Sequence, residues 1–98
     1  MDEHSARLVK MIEDACHRFR SGELTLTELQ TTVEGVASAL ERTAGSTVLE
    51  GLRRFIASLE HIYFMCQPEE QREKVDREID SLLHLIMMTR RASGNQDE

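Results

Sequence analysis

Two acid–histidine pairs, Glu13 with His17 and Asp80 with His84, have the residue types to hold a metal or move a proton. Di-metal carboxylate bundles use Glu-x-x-His from two helices, because a three-residue step aims both ligands inward. Here both pairs are four apart. At about 100° per residue, His17 falls about 160° from the apolar centre of its segment and faces water. His61 also lies outside the apolar arc of its segment, and His4 sits in a first turn that frays. These read as solvated histidines, and no metal or cofactor is expected. Cys16 is followed by His17, but neighbours on a helix point about 100° apart, so a nucleophile–base pair is not built this way. The five glycines, at 22, 35, 45, 51 and 94, never cluster into a nucleotide-binding loop or a nucleophile elbow. No catalytic residue is expected.

Two patterns suit binding rather than catalysis. Glu69, Glu73, Asp76 and Asp80 project within about 60° of one another on a helix, about 120° from its apolar centre. Like charges at this spacing slightly destabilise a helix. The stripe reads either as a solvated face, partly neutralised by Arg72 and Arg77, or as a docking surface for a basic partner. The second pattern is apolar excess outside the core stripes, at Phe64 and Met65 and at Leu85, Met87 and Met88. Such surface is either covered within the molecule or left as an interface for a partner or a second copy. The two clusters should lie at opposite ends of the molecule.

The segments that position these residues read as four helices. Leu8, Ile12, Ala15 and Phe19 recur at helical spacing from about residue 3 to residue 20, and Ser21-Gly22 ends the run. Thr25-Leu26-Thr27-Glu28 is a capping box, with Leu24 and Leu29 as its hydrophobic staple. The second helix continues through Val33, Val36, Ala37 and Leu40 until Ala44-Gly45-Ser46 breaks it, and its exposed side is rich in Thr and Glu. Thr47-Val48-Leu49-Glu50 is another such start, leading into Leu49, Leu52, Phe55, Ile56, Leu59, Ile62, Tyr63 and Cys66. These cover an arc of about 140°, which predicts that the third helix is the most buried. Pro68-Glu69-Glu70 fixes φ and places anions at the positive end of a fourth helix. Its face is Val75, Ile79, Leu82 and Ile86, and Arg90 with Arg91 mark its end. Residues 93–98 are expected to form a disordered polar tail, leaving residues 1–92 as one domain.

Short connections between four such helices favour antiparallel neighbours, so the expected fold is an all-α, up-down-up-down four-helix bundle. Helices one and three then run the same way, which puts Cys16 and Cys66 at the same end. Ninety-eight residues are enough to bury roughly 60 to 70% of the unfolded surface. The 18 acids against 12 Lys and Arg give a net charge of −6. That balance disfavours nucleic acid and anionic lipid as direct ligands and suits a basic partner. The acidic N-terminus, Met1-Asp2-Glu3-His4, is unlike a signal peptide, and no long apolar run is present, so a cytoplasmic protein that does not enter the membrane is expected. Cys16 and Cys66 lack metal or redox spacing and read as reduced, small core residues.

The stretch Phe19-Arg20-Ser21-Gly22-Glu23-Leu24-Thr25-Leu26-Thr27-Glu28-Leu29 resembles the opening of small bacterial immunity proteins of the colicin D-like, self-protective type. The later Pro68-Glu69-Glu70 start is compatible with the final helix of such proteins. The resemblance implies a non-enzymatic bacteriocin immunity protein that occludes the basic active site of a cognate toxin, often a nuclease. The stripe Glu69, Glu73, Asp76 and Asp80 would then substitute for phosphates. The rival expectation is a homodimeric or adaptor bundle joined through its apolar helix ends.

Overall fold

The computed structural model describes residues 3–42 and 47–96, with side-chain placement through residue 91. It contains four helices: α1 (Glu3–Arg20), α2 (Leu26–Glu41), α3 (Thr47–Met65) and α4 (Pro68–Gln96). α1 packs on α2, α2 on α3 and α3 on α4, and α4 closes back on α1 over a shorter stretch. This is an all-α four-helix bundle. Its long axis of 47 Å follows from α4, whose 29 residues span about 43 Å at 1.5 Å each.

Local chemistry explains the helix ends. Gly22 has φ 86°, the left-handed conformation that a side chain would disfavour. Its N–H donates to the Phe19 carbonyl at 3.1 Å and that of Glu23 to the Arg18 carbonyl at 2.8 Å, closing α1 with a Schellman motif. The capping box at α2 is complete: the Glu28 N–H donates to Thr25 Oγ1 at 3.1 Å, and the Thr25 N–H donates to Glu28 Oε1 at 2.9 Å. Leu29 is buried, and Leu24 packs against the core. At α3 the helix already includes Thr47, so its capping position falls at residue 46, outside the described residues, as does the predicted break at 44–46. Pro68 opens α4, and the N–H groups of Glu70 and Gln71 donate to the Gln67 carbonyl at 2.9 and 3.0 Å.

The predicted faces form the core. Leu8, Ile12, Ala15 and Phe19 of α1, Val33, Val36, Ala37 and Leu40 of α2, and Val75, Ile79, Leu82 and Ile86 of α4 are all buried. Val9 and Cys16 widen the α1 face, because that helix packs against both α2 and α4. α1 and α3 therefore bury six residues each, so α3 is not the most buried helix. On α3, Leu49, Leu52, Phe55, Leu59 and Ile62 are buried, and Ile56 and Cys66 are partly so. Tyr63 departs from the expectation and is half exposed. The α2 side chains facing it, Thr27, Gln30 and Thr31, are too short and polar to cover it. α4 also runs on past Arg91 to Gln96, so Arg90 and Arg91 do not occupy its last turn. Residues 93–96 are helical, since extending a formed helix adds one hydrogen bond per residue fixed. Residues 97 and 98 lie outside the described residues.

Candidate partner-binding surface

The end of the bundle that holds the α1–α2 and α3–α4 turns is organised by the first turns of α4. Gln71 Nε2 donates to the Tyr63 and Cys66 carbonyls at 3.3 and 3.2 Å, satisfying acceptors at the end of α3. Arg72 Nη2 donates to the Arg20 carbonyl at 2.8 Å, capping α1, and its guanidinium lies 5.8 Å from the centroid of the Phe19 ring. Arg20 then reaches back to α4. Its Nε donates to Asp76 Oδ1 at 2.6 Å, and its Nη2 donates to the Asp76 carbonyl at 3.2 Å and to Asp80 Oδ1 at 2.5 Å. The hydrogen bond to Asp80 and the Asp76 carboxylate raise the Arg20 pKa above its ordinary value, while burial pulls it the other way. At the far end of the same seam, Arg90 forms a bidentate pair with Glu13 at 2.8 and 3.2 Å.

This arrangement divides the acidic stripe. Asp76 and Asp80 are engaged by Arg20 across the α1–α4 seam and serve the bundle. Glu73 is paired with Arg77 one turn along its own helix, at 3.1 Å, with both side chains exposed. Arg72 neutralises none of the four. Glu69 is exposed and, with Glu70, has no side-chain partner among the described residues. The outward charge of the stripe is therefore concentrated at its start, immediately after the α3–α4 turn.

The apolar residues divide as well. Phe64 is 77% and Met65 71% exposed, just before that same turn. Glu69 and Glu70 follow them by four to six residues, on the other side of the turn. Leu85, Met87 and Met88 lie toward the other end, where Leu85 is half-buried and the two methionines are exposed. Leu85 fills the place where a Cβ on Gly51 would sit, so α3 and α4 approach closely there. An open groove of about 310 Å³ continues beside this contact, between Ser58 on α3 and Ser81 on α4. A second groove, of about 500 Å³, runs between α2 and α3 past Gln30, Glu34, Glu60, Tyr63 and Phe64.

His4, His17, His61 and His84 are all exposed. Among the described residues no group of three or more His, Cys, Asp or Glu is placed to hold a metal ion. Cys16 and Cys66 are both free thiols. Burial pushes the Cys16 thiol up to about 12, with Arg20 opposing and Glu13 reinforcing the shift. Among the described residues, no helix is long and apolar enough to cross a membrane. No protein-family model, no curated protein and no solved structure matches the chain.

The sequence pattern did not reveal Arg20 as the partner of Asp76 and Asp80. Part of the signal was available: antiparallel neighbours set the last turn of the first helix beside the first half of the fourth, and Arg20 is one of the basic residues there, with Arg18. Nor did it reveal Gln71 and Arg72 as caps, because a cap supplied by another helix leaves no trace in local spacing.

Proposed function

We propose that this chain is a non-enzymatic binding protein that captures a basic protein partner. Its specific form is a cytosolic immunity protein that occludes the basic active site of a cognate bacterial toxin, a nuclease in the case the sequence resemblance implies. The observation that carries the binding reading is the α3–α4 turn, with exposed Phe64 and Met65 on one side and unneutralised Glu69 and Glu70 on the other. An exposed aromatic beside a methionine supplies apolar contact area. Carboxylates beside it attract and orient Lys and Arg, replacing the phosphates such a cleft would otherwise bind. Capture needs no turnover and no cofactor.

The test is capture from lysate of the source by immobilised wild type and by a Glu69→Lys, Glu70→Lys variant. Reversing Asp76 instead would break the Arg20 contact and confuse docking with folding. One basic nuclease-like protein should be retained by wild type and lost by the variant, which should keep its helical content and a cooperative melt and lose only a few degrees of melting temperature with the two anions at the start of α4. Retention that is indifferent to the reversal would sink the acid-docking reading. A second reading, a homodimer through the opposite end, is favoured by exposed Met87 and Met88. It requires a melting temperature that rises with protein concentration and loses that dependence in Met88→Lys.

A further inference from the structure

Where the start of α2 meets the end of α3 the charges are arranged differently from the rest of the bundle. Elsewhere, acids that bridge helices meet a cation: Asp76 and Asp80 meet Arg20, Glu13 meets Arg90, and Glu41, between the same two helices, meets Arg53. Glu34 and Glu60 are instead drawn together by an amide. Gln30 Nε2 donates to Glu34 Oε1 at 2.9 Å and to Glu60 Oε1 at 3.4 Å, and neither carboxylate has a cationic partner among the described residues. Both line the groove of about 500 Å³, Glu34 on its α2 wall and Glu60 on its α3 wall beside Tyr63 and Phe64. Those rings meet edge to face, with centroids 5.1 Å apart and planes at 90°, and remain largely exposed.

Two carboxylates beside two accessible aromatic rings match one side chain better than any other. A guanidinium is planar and always charged, offers five N–H donors to a pair of carboxylates, and stacks on an aromatic face. An ammonium is a compact point charge, strongly hydrated, and makes no planar stack. We propose that the α2–α3 groove seats an arginine side chain from a basic segment of the protein partner, with an apolar neighbour of that arginine resting on Phe64. This rests on the reading of the chain as a binder of a basic protein, and it locates the contact: Phe64 belongs at once to the α3–α4 turn and to the groove. The Gln30 amide, already donating to both acids, holds the carboxylates close together before the arginine arrives, which lowers the ordering cost of binding.

The probe is a short synthetic peptide with arginine beside leucine, titrated into the full chain and followed by residue-resolved NMR. Control peptides carry citrulline, which keeps the shape without the charge, or lysine. Saturable shifts are expected at Gln30, Glu34, Glu60, Tyr63 and Phe64. The citrulline peptide, or a Glu34→Gln, Glu60→Gln variant, should bind about tenfold more weakly. These glutamates are exposed, so the variant should keep its melting temperature. Equal binding of the lysine peptide would overturn the assignment to a guanidinium. Saturable shifts confined to Glu69 and Glu70 would overturn the groove while sparing the basic-partner reading. No saturable response on any face would count against both.

Discussion

Replacing Arg20 with methionine separates the acids that hold the bundle from those left facing outward. The substitution keeps an apolar stem against the bundle but removes three hydrogen bonds, two to carboxylates and one to the Asp76 carbonyl. Arg20 is 29% exposed and Asp76 49%, so their contact is partly shielded, whereas Asp80 at 71% is largely screened by water. Partial exposure lets both acids rehydrate when the cation is gone, which places the loss at about 1.5 kcal/mol rather than at the cost of a buried pair. In a chain of this size that is a fall of about 6 to 12 °C in melting temperature. The assay is a double-mutant cycle by chemical denaturation, with Asp76→Asn, Asp80→Asn as the second arm. A coupling of about 1 kcal/mol is expected, because in that background Arg20 has already lost its charged partners. Additive effects would refute the assignment of these two acids to the seam and leave them free for the proposed docking.

Two further predictions concern packing. Gly35 sits inside α2 with nothing near the position of an added Cβ, so Gly35→Ala should stabilise by about 0.8 kcal/mol. Gly51→Ala gains the same helix preference but forces the Leu85 tip to move, so its net effect should lie within about 0.5 kcal/mol of zero. Equal stabilisation in both, measured by denaturation midpoint, would show that α3 and α4 do not meet at Leu85. The Cys16 thiol, raised from an ordinary value of 9.0 to about 12, gives a pH signature. Below pH 9 the folded and unfolded chains both keep the proton and nothing changes. Between pH 9 and about 12 mainly the unfolded chain ionises, so this group's contribution to stability falls by up to about 1.4 kcal/mol per pH unit. The stability gap between wild type and Cys16→Ala should therefore shrink from pH 9 to 10.5 by between about 1 and 2 kcal/mol, and a constant gap would refute the burial.

Much of the fold was legible because its determinants are local. Thr25 and Glu28 specify a helix start within four residues, and Gly22 ends a helix by its own backbone freedom. Leu8, Ile12, Ala15 and Phe19 mark their face by spacing alone. Position at the edge of a face was not legible. Tyr63 lies at the margin of its arc, and its fate depends on what α2 presents there. That turns out to be Thr27, Gln30 and Thr31, which leave the ring in an open groove. The end of the fourth helix was misplaced for a related reason, since Arg90 looked like a terminal cation but is used sideways, across the seam to Glu13.

The same distinction governs the candidate site. From the sequence, four acids on one face of a helix are equivalent, because periodicity records direction and not what stands opposite. The folded chain makes them unequal: Arg20 takes two, Arg77 takes one, and Glu69 is left outward. Compensation inside the molecule thus decides which acids are free to attract a partner. By that measure the start of α4 and the Glu34–Glu60 pair are two acidic groups left without a cation among the described residues. Phe64, exposed between the α3–α4 turn and the α2–α3 groove, joins the two, so a partner anchored on its ring could engage both acidic groups at once. An interface built this way would depend most on Phe64 and least on Asp76 and Asp80, the reverse of the order that the helical stripe suggests.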